Sequence, residues 1–266
     1  MKIGILGLGV VGSAVETGFR ELGHTTSYYD PKHEDSSFED ILDTEVCFLC
    51  VPTPPNREGK CDTTIVESSL VALSKAGYKG VAAIKSTVEP GTTQSLIDTH
   101  PDLTICFVPE FLRERCAVTD FIENHDLCVI GTESQTVFEI IKTAHGHYPG
   151  KVVQLKPVEA EMVKYYNNIY NATLITLANS FYEVCNHLGA DYAAVKNALV
   201  NRSHITNEYL QCNDNFRGFG GVCLPKDTSA IATLVREAGL DIDFFQMLLD
   251  ENNKYQVTVY DGMRKQ

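Results

Sequence analysis

Seven short, mostly apolar runs occupy the first 155 residues, and stretches with helical spacing of apolar positions separate most of them. The runs are KIGIL (2–6), TTSYY (25–29), VCFLCV (46–51), VAAIK (81–85), TICFV (104–108), LCVIG (127–131) and VVQL (152–155). The helical stretches include 12–22, 63–76 and 134–144. Strands that are apolar on both faces and alternate with helices predict an α/β fold, with a doubly wound, mainly parallel sheet over residues 1–156.

The pattern changes after residue 156. Residues 158–188 predict one long helix, and further helices are expected at 191–200, at 226–238 and from about 241 to the end. No strand is evident in this half. Segment 201–224 interrupts it with Asn, Gly and Phe residues, and a loop of this length in a compact domain is usually functional or disordered. We therefore expect a second, mainly helical domain over residues 157–266.

Composition narrows the functional classes. The formal net charge of -13 opposes binding to nucleic acid, and no apolar run reaches the roughly 20 residues that span a bilayer. The apolar start MKIGILGLGVVG is not interpreted as a secretory signal, because its glycines have functional spacing and no cleavage site follows. Nine cysteines, an odd number without a regular framework, favour a reducing, cytoplasmic location.

The glycines Gly7, Gly9 and Gly12 follow the first predicted strand and open a helix, with Val10 and Val11 inside the turn. In a Rossmann-type fold such a turn holds a dinucleotide pyrophosphate on backbone N–H groups at the helix N-terminus.

Asp30 ends the second predicted strand, 18 residues after Gly12. A carboxylate at this place accepts hydrogen bonds from the adenosine ribose hydroxyls and repels a 2′-phosphate. The expected cofactor is therefore NAD rather than NADP, although Lys32 and His33 stand nearby.

The segment GFGGVCLPKD (218–227) places Cys223 just before a helix whose first turn begins at Pro225. A thiol near a helix N-terminus, with Lys226 and Lys164 close by, favours the thiolate form and acts as a nucleophile. The alternative, an inert buried cysteine, stays open at this point.

Two other pairs suggest metal ligands, but we expect no metal. Cys47 and Cys50 lie in a predicted buried strand, where residues three apart face opposite sides. His145 and His147 stand near a predicted turn without a third ligand.

Six motifs in order, GLGVVG, VPTP, KSTV, PEFLRE, EAEMVKYYNN and GFGGVCLPKD, resemble the UDP-glucose/GDP-mannose dehydrogenase family over roughly residues 1–260. The resemblance implies oxidation of a nucleotide-sugar 6-hydroxyl to a carboxylate in two NAD-dependent steps, through a thioester. It also implies UDP-glucose as the first candidate substrate and a place in polysaccharide biosynthesis.

The resemblance assigns roles residue by residue. Cys223 is the covalent nucleophile, Lys164 stabilises oxyanions, and Asn168 and Asp227 position the lysine and a water. Glu110 is the acid–base residue for thioester hydrolysis. The expected cofactor contacts are Thr53, Glu114 and Thr87, which also contacts the catalytic water. The expected substrate contacts are Glu110, Phe111, Leu112, Lys164, Asn168, Phe219 and Gly220. Lys164 and Asp227 as surface charges, with Asn168 as a helix-facing amide, are the simpler alternatives.

Some features depart from the family pattern. The family's C-terminal α/β domain is expected to be absent, and Asn179-Ser180 replaces the usual Asn-Glu pair. The family's partner-reaching arginine has only Arg202 and Arg217 as candidates. The apolar face of the long helix 158–188 predicts a homodimer.

Two other functions compete with the four-electron reaction. A two-electron dehydrogenase of the β-hydroxyacid type shares the Rossmann and helical domains but makes no use of Cys223. A cofactor-binding module without turnover is the other alternative.

Overall fold

A computed structural model describes residues 1–255 of the chain. These residues form two compact units. The first comprises Met1–Pro54 and Cys61–Lys164, and the second comprises Pro55–Lys60 and Tyr165–Gln266, described here as far as residue 255. The boundary between units lies inside a long helix, eight residues after the sequence-based boundary at 156, and a short segment of the first half belongs to the second unit.

The first unit is built on a sheet of seven strands. They are β1 Lys2–Leu6, β2 Thr25–Tyr29, β3 Val46–Leu49, β4 Val81–Ile84, β5 Thr104–Phe107, β6 Leu127–Gly131 and β7 Lys151–Leu155, in the spatial order β2-β1-β3-β4-β5-β6-β7. All pairs are parallel except β5–β6, which is antiparallel with Phe107 opposite Gly131. The seven predicted strands and the mainly parallel, doubly wound sheet are thus confirmed.

Helices accompany this sheet. They are α1 Val10–Glu21, α2 Thr64–Lys75, α3 Thr92–Thr99, α4 Ala117–Ile122 and α5 Gln135–His145. The bounds predicted for α1, α2 and α5 agree with the structure to within two residues, and no bounds were predicted for α3 and α4. The strands are apolar at successive positions because neighbouring residues pack into two different apolar cores. In β3, for example, Leu49 packs into one core and Phe48 into the other.

The second unit is helical. It contains most of α6, Pro157–Leu188, together with α7 Tyr192–Leu199, α8 Leu224–Glu237 and α9 Phe244–Asn252. Between residues 157 and 255 there is no strand, only an isolated bridge between Asn213 and Phe216. The last helix was predicted to run from about residue 241 to the end, but α9 begins at Phe244 and ends at Asn252. The predicted course beyond residue 255 lies outside the described residues. No helix within 1–255 has the length and apolar character needed to cross a membrane.

Candidate functional site

The glycine turn between β1 and α1 has the geometry that a dinucleotide pyrophosphate needs. Gly7 has a φ of +88°, and a Cβ on Gly12 would lie 2.0 Å from the Gly7 carbonyl oxygen, so the turn itself requires both glycines. Gly9 differs, because a Cβ there would meet nothing within 4 Å. The N-terminus of α1 has no side-chain cap and no acidic residue in its first turn. Its backbone N–H groups therefore suit an approaching anion.

Asp30 is held against this turn. Its carboxylate accepts the N–H of Lys32 at 2.9 Å and that of Leu8 at 2.8 Å. These two hydrogen bonds lower the pKa of Asp30, so the group stays ionised at neutral pH. An ionised carboxylate retains lone pairs for ribose hydroxyls and repels a 2′-phosphate, which fits NAD.

Three predicted site residues follow neighbouring strands. Thr53 comes after β3, Thr87 after β4 and Glu110 after β5, while the glycine turn follows β1. These four strands are parallel neighbours, so their carboxyl ends share one edge of the sheet. Ligands of open α/β sheets bind outside this edge. Thr53 is buried, Thr87 is half-buried, and Glu114, four residues after Glu110, is exposed.

Lys164 and Glu110 form a buried ion pair in the first unit. The Lys164 ammonium donates to Glu110 Oε1 at 3.1 Å and to the Glu110 carbonyl oxygen at 2.5 Å. The other carboxylate oxygen of Glu110 accepts the N–H of Leu112 at 2.7 Å, and the ring of Phe111 lies 5.7 Å from the ammonium. Lys164 is only 4% exposed, so the surface-charge alternative for this residue is wrong.

Asp227 is the centre of a second buried cluster, in the second unit. Its carboxylate oxygens accept Asn168 Nδ2 and the Lys226 ammonium, each at 2.6 Å. Asp227 is fully buried, so it is not a surface charge either. The Lys226 ammonium thus pairs with Asp227, a contact that the sequence did not predict.

Cys223 occupies the N-cap of α8, and its carbonyl accepts the N–H of Asp227 at 2.9 Å. It is exposed, and the other eight cysteines are buried or half-buried. Cys223 is therefore not a buried cysteine, as one alternative expected. Pro225 lies in the first turn of α8, as the sequence predicted.

Two asparagines, for which the sequence predicted no role, hold the glycine loop that leads to Cys223. Asn252 of α9 binds Phe219 at both backbone groups, accepting its N–H at 2.7 Å and donating to its carbonyl at 2.9 Å. Asn179 of α6 accepts the N–H of Gly218 at 3.1 Å. Phe219 itself is buried, with 1% of its surface exposed.

The two candidate arginines differ. The Arg217 guanidinium pairs with Glu183, donates to Asn179 Oδ1 at 2.8 Å and lies over the ring of Tyr182. Arg202 is exposed on the loop after α7.

Neither suggested metal pair forms a ligand set. His145 is fully buried, and its Nδ1 donates to the carbonyl of Ile141 at 2.8 Å, whereas His147 is exposed. Across residues 1–255, no three His, Cys, Asp or Glu side chains are grouped as metal ligands.

Comparison with known proteins assigns both units to one family. Residues 31–148 match the NAD binding domain of the UDP-glucose/GDP-mannose dehydrogenase family, and residues 158–254 match its central domain. UDP-glucose 6-dehydrogenase AglM of Haloferax volcanii is 29% identical over 100% of this chain and 72% of its own length. UDP-glucose 6-dehydrogenase TuaD of Bacillus subtilis is 28% identical over 98% of this chain and 65% of its own length.

A solved structure shows the same relationship. The UDP-glucose dehydrogenase of Pyrobaculum islandicum aligns with a TM-score of 0.84 at 27% identity, covering 95% of this chain and 68% of that chain. The chain therefore spans about two thirds of the length of these relatives. Because both domains match in order over most of the chain, the protein belongs to the UDP-glucose/GDP-mannose dehydrogenase family, a family of NAD-dependent nucleotide-sugar dehydrogenases.

Proposed function

We propose that this chain oxidises the 6-hydroxyl of a nucleotide sugar to a carboxylate in two NAD-dependent steps, with Cys223 as the covalent nucleophile. The observation that carries the proposal is the exposed thiol of Cys223 on the N-cap of α8, in a chain whose other cysteines are buried or half-buried. The helix dipole stabilises a thiolate at this position. UDP-glucose is the first candidate substrate, because AglM and TuaD are named UDP-glucose 6-dehydrogenases.

The proposed residues supply each need of the reaction. The glycine turn and Asp30 would hold NAD, which would supply the acceptor for one hydride in each oxidation. In the first oxidation the hydroxyl proton passes through a general base to solvent and the hydrogen on C6 leaves as the hydride, which gives an aldehyde. The Cys223 thiolate then forms a carbon–sulfur bond to the aldehyde carbon, and the carbonyl π bond breaks to leave an oxyanion. The resulting thiohemiacetal oxyanion is stabilised by the Lys164 ammonium, with Asn168 and Asp227 as positioning residues. Loss of the second hydride converts the thiohemiacetal to a thioester.

Hydrolysis completes the cycle. A water ordered by Thr87 gives a proton to Glu110 and adds to the thioester carbon. The carbon–sulfur bond then breaks, and Cys223 leaves as a thiolate. In total, one alcohol, one water and two NAD⁺ give one carboxylate, two NADH and three protons.

The proposed active form is a homodimer. Within the second unit, α6 exposes a row of large apolar side chains at spacings of three, four and seven residues: Tyr166, Tyr170, Leu177, Phe181, Val184 and Leu188. Such a stripe favours burial against another protein surface, and a second copy of the same helix offers the matching face.

The stoichiometry of NADH separates the competing functions. The protein is incubated with NAD and, in turn, UDP-glucose, GDP-mannose and small hydroxyacids, and NADH is counted per substrate consumed. Two NADH per nucleotide sugar are expected. One NADH per hydroxyacid would instead support a two-electron dehydrogenase. No NADH with any substrate would support a cofactor-binding module and overturn the proposal.

A further inference from the structure

Glu161 is a buried carboxylate on α6 that the proposed chemistry does not use. It is 0% exposed, its Oε2 accepts the N–H of Gly91 at 2.6 Å, and its Oε1 accepts the N–H of Thr93 at 2.7 Å. Both donors belong to the N-terminus of α3, where backbone N–H groups have no partner within the helix. Glu161 therefore caps a helix that lies about 70 residues earlier in the chain.

The start of α3 depends on this remote cap. Its N-cap residue is Gly91, with a φ of +97°, and neither a capping side chain nor an acidic residue stands in its first turn. A buried carboxylate that accepts two N–H groups makes strong, directional hydrogen bonds. In Glu161→Gln, one carboxylate oxygen is replaced by an amide NH2 that cannot accept, so one of the two backbone N–H groups loses its acceptor.

The segment in front of α3 contains Thr87 and is anchored at both ends. At its beginning, Ser86 Oγ donates to the carbonyls of Val51 at 2.6 Å and Leu49 at 3.1 Å. At its end, Gly91 is held by Glu161. Thr87 lies between the two anchors.

The same part of α6 reaches a second segment. Lys164 follows Glu161 by three residues, so the two side chains lie on neighbouring positions of one helix face. Lys164 binds the side chain and carbonyl of Glu110. One turn of α6 thus contacts both the segment containing Thr87 and the segment containing Glu110.

We propose that Glu161 is a positioning residue. By joining the N-terminus of α3 to α6, it fixes the position of the segment that contains Thr87 relative to Lys164 and Glu110. The structural part of this proposal concerns hydrogen bonds within the first unit. Its kinetic part rests on the proposed dehydrogenase function.

Hydrogen exchange tests the structural part without any turnover. In Glu161→Gln, peptides covering 86–99 and 107–114 are expected to exchange roughly 10-fold faster, whereas the peptide covering 2–12 keeps its wild-type rate. Glu159→Gln is the matched control, because Glu159 lies on the same helix but accepts only the N–H of Lys156. Wild-type exchange at 86–99, or an equal increase in all three regions, would overturn the proposal.

Kinetics test the functional part on whichever nucleotide sugar the wild type oxidises. Glu161→Gln should lower kcat roughly 10- to 100-fold, because small misplacements of catalytic groups cost this much. The KM for NAD should change less than about 2-fold, since the glycine turn is untouched. Glu161→Asp should recover part of kcat, and it replaces Glu161→Gln in both experiments if the latter does not fold. An unchanged kcat, or equal losses in Glu161→Gln and Glu159→Gln, would refute positioning. An inactive wild type would refute the proposed function and leave the exchange result valid.

Discussion

The side chain of Asp30 connects the glycine turn to the end of β2 in the first unit. Its carboxylate bridges the end of β2 and the backbone of the glycine turn through Lys32 and Leu8. Because these hydrogen bonds lower its pKa, the group remains charged throughout the neutral range. Asp30 therefore supports the shape of the turn, and we predict that it also selects the cofactor.

Replacing Asp30 should reveal this double role. We expect Asp30→Ala to weaken NAD binding roughly 10- to 100-fold, the value of hydrogen bonds to a charged group, and to weaken NADP binding less. Titration of protein fluorescence with each cofactor measures both constants. Asp35→Asn is the control, because Asp35 contacts the Tyr28 hydroxyl and not the glycine turn. An unchanged preference between the cofactors would contradict the role of Asp30.

Exposure of Cys223 leads to a chemical prediction. Iodoacetamide should modify Cys223 of the native protein first, because alkylation needs an accessible thiolate. Burial raises the pKa of Cys50 to about 12 and that of Cys128 to about 11, so neither should react at neutral pH. Peptide mass spectrometry over time reads the order, and denatured protein, with all nine cysteines accessible, gives the reference. Equal rates at Cys223 and Cys116 would refute the prediction.

The residue types of the site could be predicted better than its contacts. The motifs led to Cys223, Lys164 and Asp227, but not to the pairing of Lys226 with Asp227. They also gave no role to Asn179 or Asn252, which hold the glycine loop. These asparagines lie about 30 to 40 residues from the loop residues that they bind. The sequence around an asparagine inside a helix does not indicate which distant backbone group it will contact.

At the scale of elements, strong periodicity made strands and long helices predictable. The missed helix α4 has only six residues, too few for a periodic pattern. Helix α3 has a glycine as its N-cap residue and is capped by a side chain of α6, so the sequence around its start contains no capping residue. The antiparallel pairing of β5 and β6 also could not be predicted from the strand sequences, because strand direction depends on the connection between strands and not on their composition.

Asp120 of α4 fixes the segment that follows Glu110. Its carboxylate binds Arg113 at three points, the backbone N–H at 2.9 Å, Nε at 2.9 Å and an NH2 nitrogen at 2.6 Å. The hydrogen bonds from Arg113 hold the pKa of Asp120 well below its usual range. This segment should therefore keep its shape at every pH near neutrality.

Asp120→Asn should lower the free energy of unfolding by about 1.5–3 kcal/mol, as expected for hydrogen bonds to a charged group. A lowered folded-state pKa contributes stability that is fully present above about pH 4 and is lost only as the pH falls through the lowered value. The difference from wild type should therefore stay constant between pH 5 and 8 in urea unfolding. Glu139→Gln, in an exposed pair with Lys142, should change stability by less than about 0.5 kcal/mol. A difference that shrinks between pH 8 and 5 would disagree with this account.

At the scale of the whole molecule, the apolar stripe on α6 predicts the assembly. Light scattering should give about twice the 29.4 kDa of one chain. Phe181→Asp places a charge in the stripe and should shift the mass to that of one chain, because a buried unpaired charge opposes association. Asn186→Asp, on the opposite face of the helix, should remain dimeric. A wild-type mass of one chain would refute the dimer.

The whole account depends most on Cys223. With UDP-glucose, or the nucleotide sugar that the wild type uses, we predict two NADH and one carboxylate per substrate. Cys223→Ala should form no carboxylate, because without the thiol oxidation stops at the aldehyde after at most one NADH. The acid is measured by mass spectrometry beside the NADH count. Carboxylate formation by Cys223→Ala at the wild-type rate would contradict covalent catalysis at this residue.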